Sequence, residues 1–363
     1  MQTFRIGHSH HPDWQASVDA CLEGAGDIGK ANLGFLYLTD GLADQLGNIL
    51  RELKSRTGVR HWVGSVGQAI LCTNTEYYDE PALVILLAEF PAGSFRVFDL
   101  AGGNLPPADT GSQHFALVHG DPRNGQLPEL IEQLPDRLGN GYLVGGLTSA
   151  NNRYYQIADD VVEGSLSGVV FDEQVPVATG VSQGCSPIGP IHTLTDCDQH
   201  MAIRIDQRPA LEVFKEDIGE VLARDIDRAA GYIFAGFPVV GSDTGDYRVR
   251  NVIGIDPENN LLAIGDHMTR GVPIMFCRRD SKSATEDLQR MLTNLASRLD
   301  RAPRGGIYIS CVGRGQHLFG KPGREMQMIS EVFGDIPIAG FYANGEIAGH
   351  NLYGYTGVMT LFL

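Results

Sequence analysis

Leu33-Gly34-Phe35-Leu36-Tyr37-Leu38 is an apolar run with the length of a buried β-strand, and it opens the pattern that decides the fold. Behind it, apolar residues recur at helical spacing from Leu42 to Leu53, and Gly58 stands where a helix C-cap belongs. A second strand is predicted over residues 61–66 and, after a polar loop, a further strand over 82–90. The segment therefore reads as a βαβ unit followed by one more strand.

The same pattern recurs twice further along the chain. The second copy has predicted strands at 115–119, 142–147 and 166–171, with helical apolar spacing from Leu127 to Leu138; the third has strands at 307–312, 336–341 and 358–363, with such spacing from Met326 to Phe333. The first and second strands begin 28, 27 and 29 residues apart in the three copies. We interpret the copies as a structural pseudo-repeat; the alternative is the coincidence of a common motif.

Between the second and third copies the sequence pattern is different. Strands are predicted at 175–181, 202–205, 232–240, 249–255, 261–264 and 274–277, and helices at 209–221 and 284–299. The predicted fold class is therefore α/β (mixed α+β), with two domains of mixed β-sheets flanked by helices and built in part from repeated βαβ-β units. We place the domain boundary near residue 220.

Composition limits the class of protein. Of the 363 residues, 43% are hydrophobic and 20% charged, as in folded globular proteins. The net charge of −16 argues against nucleic acid and anionic membrane surfaces as partners. The N-terminus lacks the apolar core of a signal peptide, and no run approaches the roughly 18 apolar residues of a membrane span. Because the six cysteines are widely scattered, we expect a cytoplasmic protein without a disulfide scaffold.

Glycine-rich segments carry a family resemblance. They are Tyr142–Ser149, Gly168–Phe171, Gly180–Gly189, Cys311-Val312-Gly313-Arg314-Gly315 and Gly340–Ile347. In this order they resemble the FIST family, which implies a FIST N-terminal domain at 25–220 and a FIST C-terminal domain at 221–360. The resemblance further implies a bacterial signal-input module that binds a small ligand, proposed for the family to be an amino acid. Its output would pass through a separate partner such as a histidine kinase.

A ligand site is predicted where the strands of the three copies end, because open α/β sheets bind ligands beyond the carboxyl ends of their strands. The candidate residues are Arg314, Glu346, Asn344, Cys311, Gly313, Gly315, Gly145, Gly146, Ser149 and Asn151. Arg314 can hold a carboxylate in a bidentate pair and Glu346 can hold an ammonium, which is the chemistry that an α-amino acid requires. In the alternative, Arg314 and Glu346 pair with each other and the glycines only permit tight turns.

Two other functions stay open. Some family members that resemble this chain bind haem and sense nitric oxide, but none of the eleven histidines is singled out by spacing as an axial ligand. Haem is therefore a possible cofactor, and no cofactor is certain. A cysteine-dependent enzyme would use Cys311, whose thiol Arg314 could activate.

Two catalytic motifs are matched only in part. Gly180–Gly184 fits the G-x-S-x-G pattern of hydrolases, but the prolines at 187 and 190 prevent the helix that must follow it. Residues 315–322 approach a P-loop, yet Pro322 replaces the Ser or Thr that holds magnesium. We therefore expect a non-enzymatic sensor without a metal site.

Overall fold

The computed structural model describes residues 4–101, 113–138, 141–223, 232–239 and 247–363. The chain forms two compact units: unit 1 comprises Met1–Val181 and Gln289–Leu363, and unit 2 comprises Ser182–Leu288. Both contain helices and mixed or antiparallel sheets, which confirms the predicted mixed α+β fold class. This partition differs from the predicted family-domain boundary near residue 220, which stays a prediction. Val240, the predicted end of one strand, lies outside the described residues.

The strands are β1 (Arg5–Ser9), β2 (Leu33–Thr39), β3 (His61–Gly67), β4 (Ala69–Cys72), β5 (Thr75–Tyr78), β6 (Leu83–Ala88), β7 (Phe95–Asp99), β8 (Gln113–Gly120), β9 (Tyr142–Leu147), β10 (Gln156–Ala158), β11 (Asp160–Val162), β12 (Leu166–Asp172), β13 (Val177–Ser182), β14 (Ser186–Pro187), β15 (His192–Asp198), β16 (Met201–Ile205), β17 (Arg208–Pro209), β18 (Ile233–Pro238), β19 (Tyr247–Asp256), β20 (Leu261–Ile264), β21 (Pro273–Arg278), β22 (Gly305–Cys311), β23 (Ile338–Ala343), β24 (Glu346–Ala348), β25 (Asn351–Tyr353) and β26 (Gly357–Phe362). The helices are α1 (Trp14–Ala25), α2 (Leu46–Thr57), α3 (Leu127–Arg137), α4 (Ala210–Ala223), α5 (Ser281–Ser297), α6 (Gly315–Phe319) and α7 (Arg324–Phe333). A 3₁₀ turn, Asp40–Gln45, precedes α2.

The three predicted copies share one topology. In each copy the first and second strands pair in parallel, and the last strand lies antiparallel on the other side of the first. The resulting strand orders are β6-β2-β3, β12-β8-β9 and β26-β22-β23, and the crossover is made by α2, by α3 or by α6 and α7. The predicted pseudo-repeat is thus confirmed. In the third copy the second strand is Ile338–Ala343, which begins two residues later than predicted.

The copies are interlocked by hairpins that each copy donates to another copy's sheet. The hairpin β10–β11, which follows the second copy's β9, extends the first copy's sheet at β3. The hairpin β24–β25 of the third copy extends the second at β9, and the hairpin β4–β5 of the first extends the third at β23. The exchange is cyclic, so no copy completes its own sheet.

Each sheet has, as its edge strand next to the last strand of the copy, a strand that precedes the copy in sequence. β1 pairs with β6, β7 with β12 and β13 with β26, which gives three six-stranded sheets of the same order in the described residues. Between β1 and β2 the chain forms α1; at the corresponding place in the third copy it runs from β13 into unit 2 and returns to unit 1 along α5. Unit 2 is therefore an insertion in the third copy.

Three equivalent glycines allow the parallel strands of the copies to lie close together. Gly64, Gly145 and Gly340 occupy the same place in their second strands, opposite the donated hairpin strand. A Cβ at these positions would lie 1.8, 2.0 and 1.7 Å from a carbonyl oxygen of the neighbouring first strand. The close approach thus explains a glycine in every copy, independently of any ligand.

Unit 2 is built around an antiparallel barrel. The strands β18, β21, β15, β16, β20 and β19 pair in this order, and β19 returns to β18 to close the ring. The helix α4 packs Leu211 and Phe214 into the same hydrophobic cluster as Phe276 of the barrel, and the two phenylalanine rings meet edge to face at 4.9 Å. α4 is interrupted at Gly219, where φ is 77°.

Candidate functional site

Arg314, in the glycine-rich segment Cys311-Val312-Gly313-Arg314-Gly315, is fully buried in unit 1. Its Nη2 and Nε atoms lie 2.8 and 2.9 Å from Oε1 of Glu325, which is buried as well. The same carboxylate accepts hydrogen bonds from the Tyr308 hydroxyl at 2.5 Å, the Ser310 hydroxyl at 3.0 Å and the Gly315 N–H at 3.2 Å. Arg314 is therefore paired with Glu325 rather than with Glu346, and the predicted alternative of an Arg314–Glu346 pair is not what forms.

Glu346 begins β24 and is likewise fully buried. Its Oε2 accepts a hydrogen bond from the Thr356 N–H at 3.0 Å and from the Thr356 hydroxyl at 2.7 Å. Apart from a weak contact of the carboxyl with the Cys311 thiol, Oε1 has no hydrogen-bond partner among the described residues. Burial raises the pKa of Glu346 to about 7, although the bonds from Thr356 act in the opposite direction.

Glu346 belongs to a row of residues that lie side by side on neighbouring strands of one sheet. Ser167 of β12 pairs with His119 of β8, His119 with Gly146 of β9, and Gly146 with Glu346. Residues in one such row project from the same face of the sheet. The Ser167 hydroxyl and the His119 Nδ1 also lack hydrogen-bond partners in the described structure. His119 Nε2 bonds with the Tyr37 hydroxyl at 3.1 Å, and burial lowers the pKa of His119 to about 3.

Three of the candidate glycines face protein atoms at close range. A Cβ on Gly145 would collide with the Val118 carbonyl, as described above, and one on Gly146 would lie 2.7 Å from the Ala343 side chain. Gly315 has a φ of +58°, and a Cβ there would lie 2.0 Å from the Tyr78 hydroxyl. These contacts account for the three glycines by packing, and their predicted role in ligand approach stays a prediction.

The remaining candidates connect the strand ends of different copies. Ser149 donates its hydroxyl hydrogen to the Tyr342 carbonyl and accepts a hydrogen bond from the Gln68 N–H at 3.0 Å. The exposed side chain of Asn151 accepts one from the Gln68 amide at 2.8 Å. The Asn344 N–H donates to the Leu147 carbonyl at 2.9 Å.

Cys311, Val312 and Gly313 continue β22 towards Arg314, and the Val312 N–H donates to the Ala343 carbonyl at 3.0 Å. The structure therefore gathers all ten predicted residues in unit 1, around the ends of β9, β22 and β23.

The structure gives no support to the reactive-cysteine alternative. Burial raises the pKa of the Cys311 thiol far above its usual value, with a further contribution from the Glu346 carboxyl, so that the nucleophilic thiolate is disfavoured. Within the described residues, no three His, Cys, Asp or Glu side chains are grouped so as to hold a metal ion.

The two partial motifs also have structural explanations. Ser182 of the G-x-S-x-G segment donates a hydrogen bond to Asp287 at 2.9 Å, and the short strand β14 follows it instead of a helix. The P-loop-like segment forms the five-residue helix α6. Neither segment has the geometry that its motif requires.

Comparison with known proteins identifies the class to which this fold and site belong. The FIST N domain model matches residues 32–208, and the FIST C domain model matches residues 210–349. The chain therefore belongs to the FIST family.

Two mycobacterial proteins are similar to the chain over nearly its whole length. The chain is 29% identical over 382 residues to an uncharacterized protein of Mycobacterium tuberculosis, with 99% of each chain covered. It is 30% identical over 376 residues to an uncharacterized protein of Mycobacterium bovis, with 96% of this chain and 95% of that one covered. Among the described residues, no helix combines the length and apolar character needed to cross a membrane.

Proposed function

We propose that the protein is a non-enzymatic sensor that binds a small ligand at Glu346 and signals through a separate partner. The observation that carries this proposal concerns the Glu346 carboxyl, which is fully buried and whose Oε1 accepts no regular hydrogen bond from the residues that the structure describes. An unsatisfied buried polar atom costs free energy, so such an atom in a folded protein calls for an explanation. A ligand that donates a hydrogen bond to Oε1 provides one.

The chemistry of the carboxyl selects the ligand class. An ammonium placed at Oε1 would gain a charge-assisted hydrogen bond in surroundings of low polarity, where such bonds are strongest. The ligand is therefore a small molecule with an ammonium group or another strong donor, and an amino acid meets this requirement. The ordinary intracellular pH lies close to the raised pKa of Glu346, so ligand binding would shift its protonation.

Arg314 has a different role in this proposal from the one expected from sequence. Because its guanidinium already binds Glu325, it would take a ligand carboxylate only by giving up that ion pair. Arg314 and Glu325 instead fix the end of β22, from which Cys311 contacts the Glu346 carboxyl. An amino acid would therefore be held first through its ammonium group.

A thermal-shift screen of the full-length protein tests the proposal. The panel contains the twenty amino acids and simple primary amines, and each is measured on the wild type, on Glu346→Gln and on Asp335→Asn. Asp335 is an exposed carboxylate of unit 1, so its variant is a charge-matched control. We expect at least one compound to raise the melting temperature of the wild type and the control but not of Glu346→Gln. A panel without any hit, or a hit that Glu346→Gln retains, contradicts the proposal.

The same preparation tests the haem alternative. After reconstitution with haem, a haem-based sensor would show a Soret band that persists through gel filtration. The described structure favours no histidine as an axial ligand, and the fully buried His119 already bonds Tyr37 through Nε2. We therefore expect no retained band.

A further inference from the structure

Tyr355 has a left-handed backbone conformation, with a φ of 67°. Most side chains avoid this region, and a bulky residue there is an outlier whose strain must be held by its surroundings. The residue lies between β25 and β26, in a segment over residues 354–356 that we call the Tyr355 turn. Neither of the neighbouring glycines, Gly354 and Gly357, takes up the positive φ in its place.

The Tyr355 turn is hydrogen-bonded to residues of the candidate site. Thr356 gives both its N–H and its hydroxyl hydrogen to Glu346 Oε2, at 3.0 and 2.7 Å. The Cys311 N–H donates to the Thr356 carbonyl at 2.9 Å, and Arg314 Nη1 lies 3.4 Å from the Tyr355 carbonyl. The two strongest of these bonds end on Glu346, because hydrogen bonds to an ionised group are stronger than those between neutral groups.

We infer that the Tyr355 turn responds to the charge and hydrogen bonding of the Glu346 carboxyl. When a donor binds the carboxylate, or a proton neutralises it, the two hydrogen bonds from Thr356 weaken and the backbone strain at Tyr355 is released. This inference rests on the proposed function and concerns its regulation. Strained backbone persists only while the surrounding contacts over-determine it, and here those contacts belong to the site itself. Binding at Glu346 therefore acts on a conformation that is already under strain.

The position of the turn allows a local change to reach two sheets. β25, before the turn, belongs to the sheet that contains β8 and β9, while β26, after it, pairs with β22. A shift at Tyr355 therefore moves the connection between the second and third copies. β26 also borders β13, the strand from which the chain continues into the sequence of unit 2.

Hydrogen exchange of the full-length protein at a fixed pH of about 8, above the raised pKa of Glu346 so that its carboxyl is ionised, tests the inference without any ligand. The probe is Glu346→Gln, which keeps the size of the side chain and an acceptor oxygen but removes the charge. We expect the amides of residues 354–357 to exchange at least about fivefold faster in this variant, because a charge-assisted bond becomes a neutral one. Peptides covering β2 should keep their wild-type exchange, which shows that unit 1 remains folded. The charge-matched Asp335→Asn variant should leave the turn unchanged.

A second substitution shows whether faster exchange in Glu346→Gln comes from the release of backbone strain at Tyr355 or only from the weaker bonds between Thr356 and residue 346. Asparagine tolerates the left-handed region better than tyrosine does, so Tyr355→Asn removes part of the strain that drives relaxation. In the Glu346→Gln background, Tyr355→Asn should return the protection factors of residues 354–357 to near the wild-type values. The inference is overturned if Glu346→Gln leaves the exchange of the turn unchanged, if Asp335→Asn accelerates it equally, or if Tyr355→Asn gives no recovery. Because no ligand is used, this test can fail while the ligand screen succeeds, and the reverse.

Discussion

The guanidinium of Arg314 and the carboxylate of Glu325 form an ion pair in which both side chains are completely buried, with Nη2 2.8 Å from Oε1. Removing one partner of such a pair leaves the other charged in surroundings that cannot solvate it. Arg314→Ala should therefore lower the free energy of unfolding by about 3–5 kcal/mol, as measured by urea denaturation.

The neighbouring Arg324 supplies the control for this prediction. It pairs with Glu331 at the same 2.8 Å distance, but both side chains are partly exposed. Arg324→Ala should cost less than about 1 kcal/mol, because solvent screens the pair. Equal losses for the two variants would show that burial is not what makes the Arg314 pair important.

Glu346 should make the stability of the protein depend on pH. Its folded-state pKa of about 7 lies above the ordinary value of 4.5, so the folded protein holds this proton more tightly than the unfolded chain does. The contribution is complete below pH 4.5 and is lost as the pH rises through 7. It amounts to on the order of 3 kcal/mol.

Thermal unfolding between pH 5 and pH 8 checks this dependence. In Glu346→Gln the decline assigned to Glu346 should disappear, since the amide is neutral throughout, whereas Asp335→Asn should keep it. A Glu346→Gln variant that loses stability with pH as steeply as the wild type would assign the decline to another group.

His192 of unit 2 should add a second pH-dependent contribution. Its Nδ1 lies 2.6 Å from an Asp206 oxygen and its Nε2 lies 3.0 Å from an Asp217 oxygen. A neutral imidazole has a single N–H, so both bonds to ionised carboxylates require the imidazolium. Burial alone would lower the pKa of His192, but the bonds to Asp206 and Asp217 outweigh burial and raise it.

This raised pKa fixes the direction of the effect. The stabilisation is present below the unfolded-state pKa of 6.5 and is lost as the pH rises through the folded-state pKa. NMR titration of the imidazole should give a pKa above 6.5, and Asp217→Asn should lower that pKa. The control is His350→Gln, which removes an exposed histidine of unit 1 and should leave the titration of His192 as it was. A His192 that titrates below 6.5 would contradict the prediction.

The equivalent glycines of the three copies should resist substitution. In Gly340→Ala the new Cβ would meet the Tyr308 carbonyl oxygen at 1.7 Å, and a strand backbone cannot yield that far without losing its pairing. We expect a loss of about 3 kcal/mol or more in the free energy of unfolding. Gly47, inside α2, has no atom within 4 Å of an added Cβ. Gly47→Ala should therefore stabilise the protein by about 0.5–1 kcal/mol, and a tolerated Gly340→Ala would disprove the close approach.

The strands and helices of each copy could be predicted from the sequence, but the pairing of each copy's hairpin with the sheet of another copy could not. Apolar runs such as Leu33–Leu38, together with helical spacing, predict strands and crossover helices because these depend on local periodicity. The hairpins β4–β5, β10–β11 and β24–β25 are short, and their partners lie in another copy. Nothing local distinguishes pairing within a copy from pairing between copies, so the cyclic exchange could not be predicted.

The candidate site shows the same division. Arg314 and Glu346 are predicted because they stand near strand ends, where open α/β sheets bind ligands, whereas Glu325, the partner of Arg314, lies in a crossover helix and was not predicted. A signal was present: Glu325 lies four residues before Ile329 and seven before Val332, on the apolar face of α7. A lone acid on such a face predicts a buried partner. No sequence pattern predicts the hydrogen bonds from Thr356 to Glu346, because they depend on how two turns pack against each other in the folded chain.

Binding at Glu346 is tested most directly by calorimetric titration with the strongest hit of the thermal-shift panel, at pH 6 and pH 8. An ammonium ligand prefers the ionised carboxyl, whose pKa is raised to about 7, so the affinity of the wild type should rise about tenfold between the two pH values. In Glu346→Gln the binding should be weaker and independent of pH. An affinity that is the same at both pH values in the wild type, or unchanged by Glu346→Gln, would contradict the assignment of the ligand to Glu346.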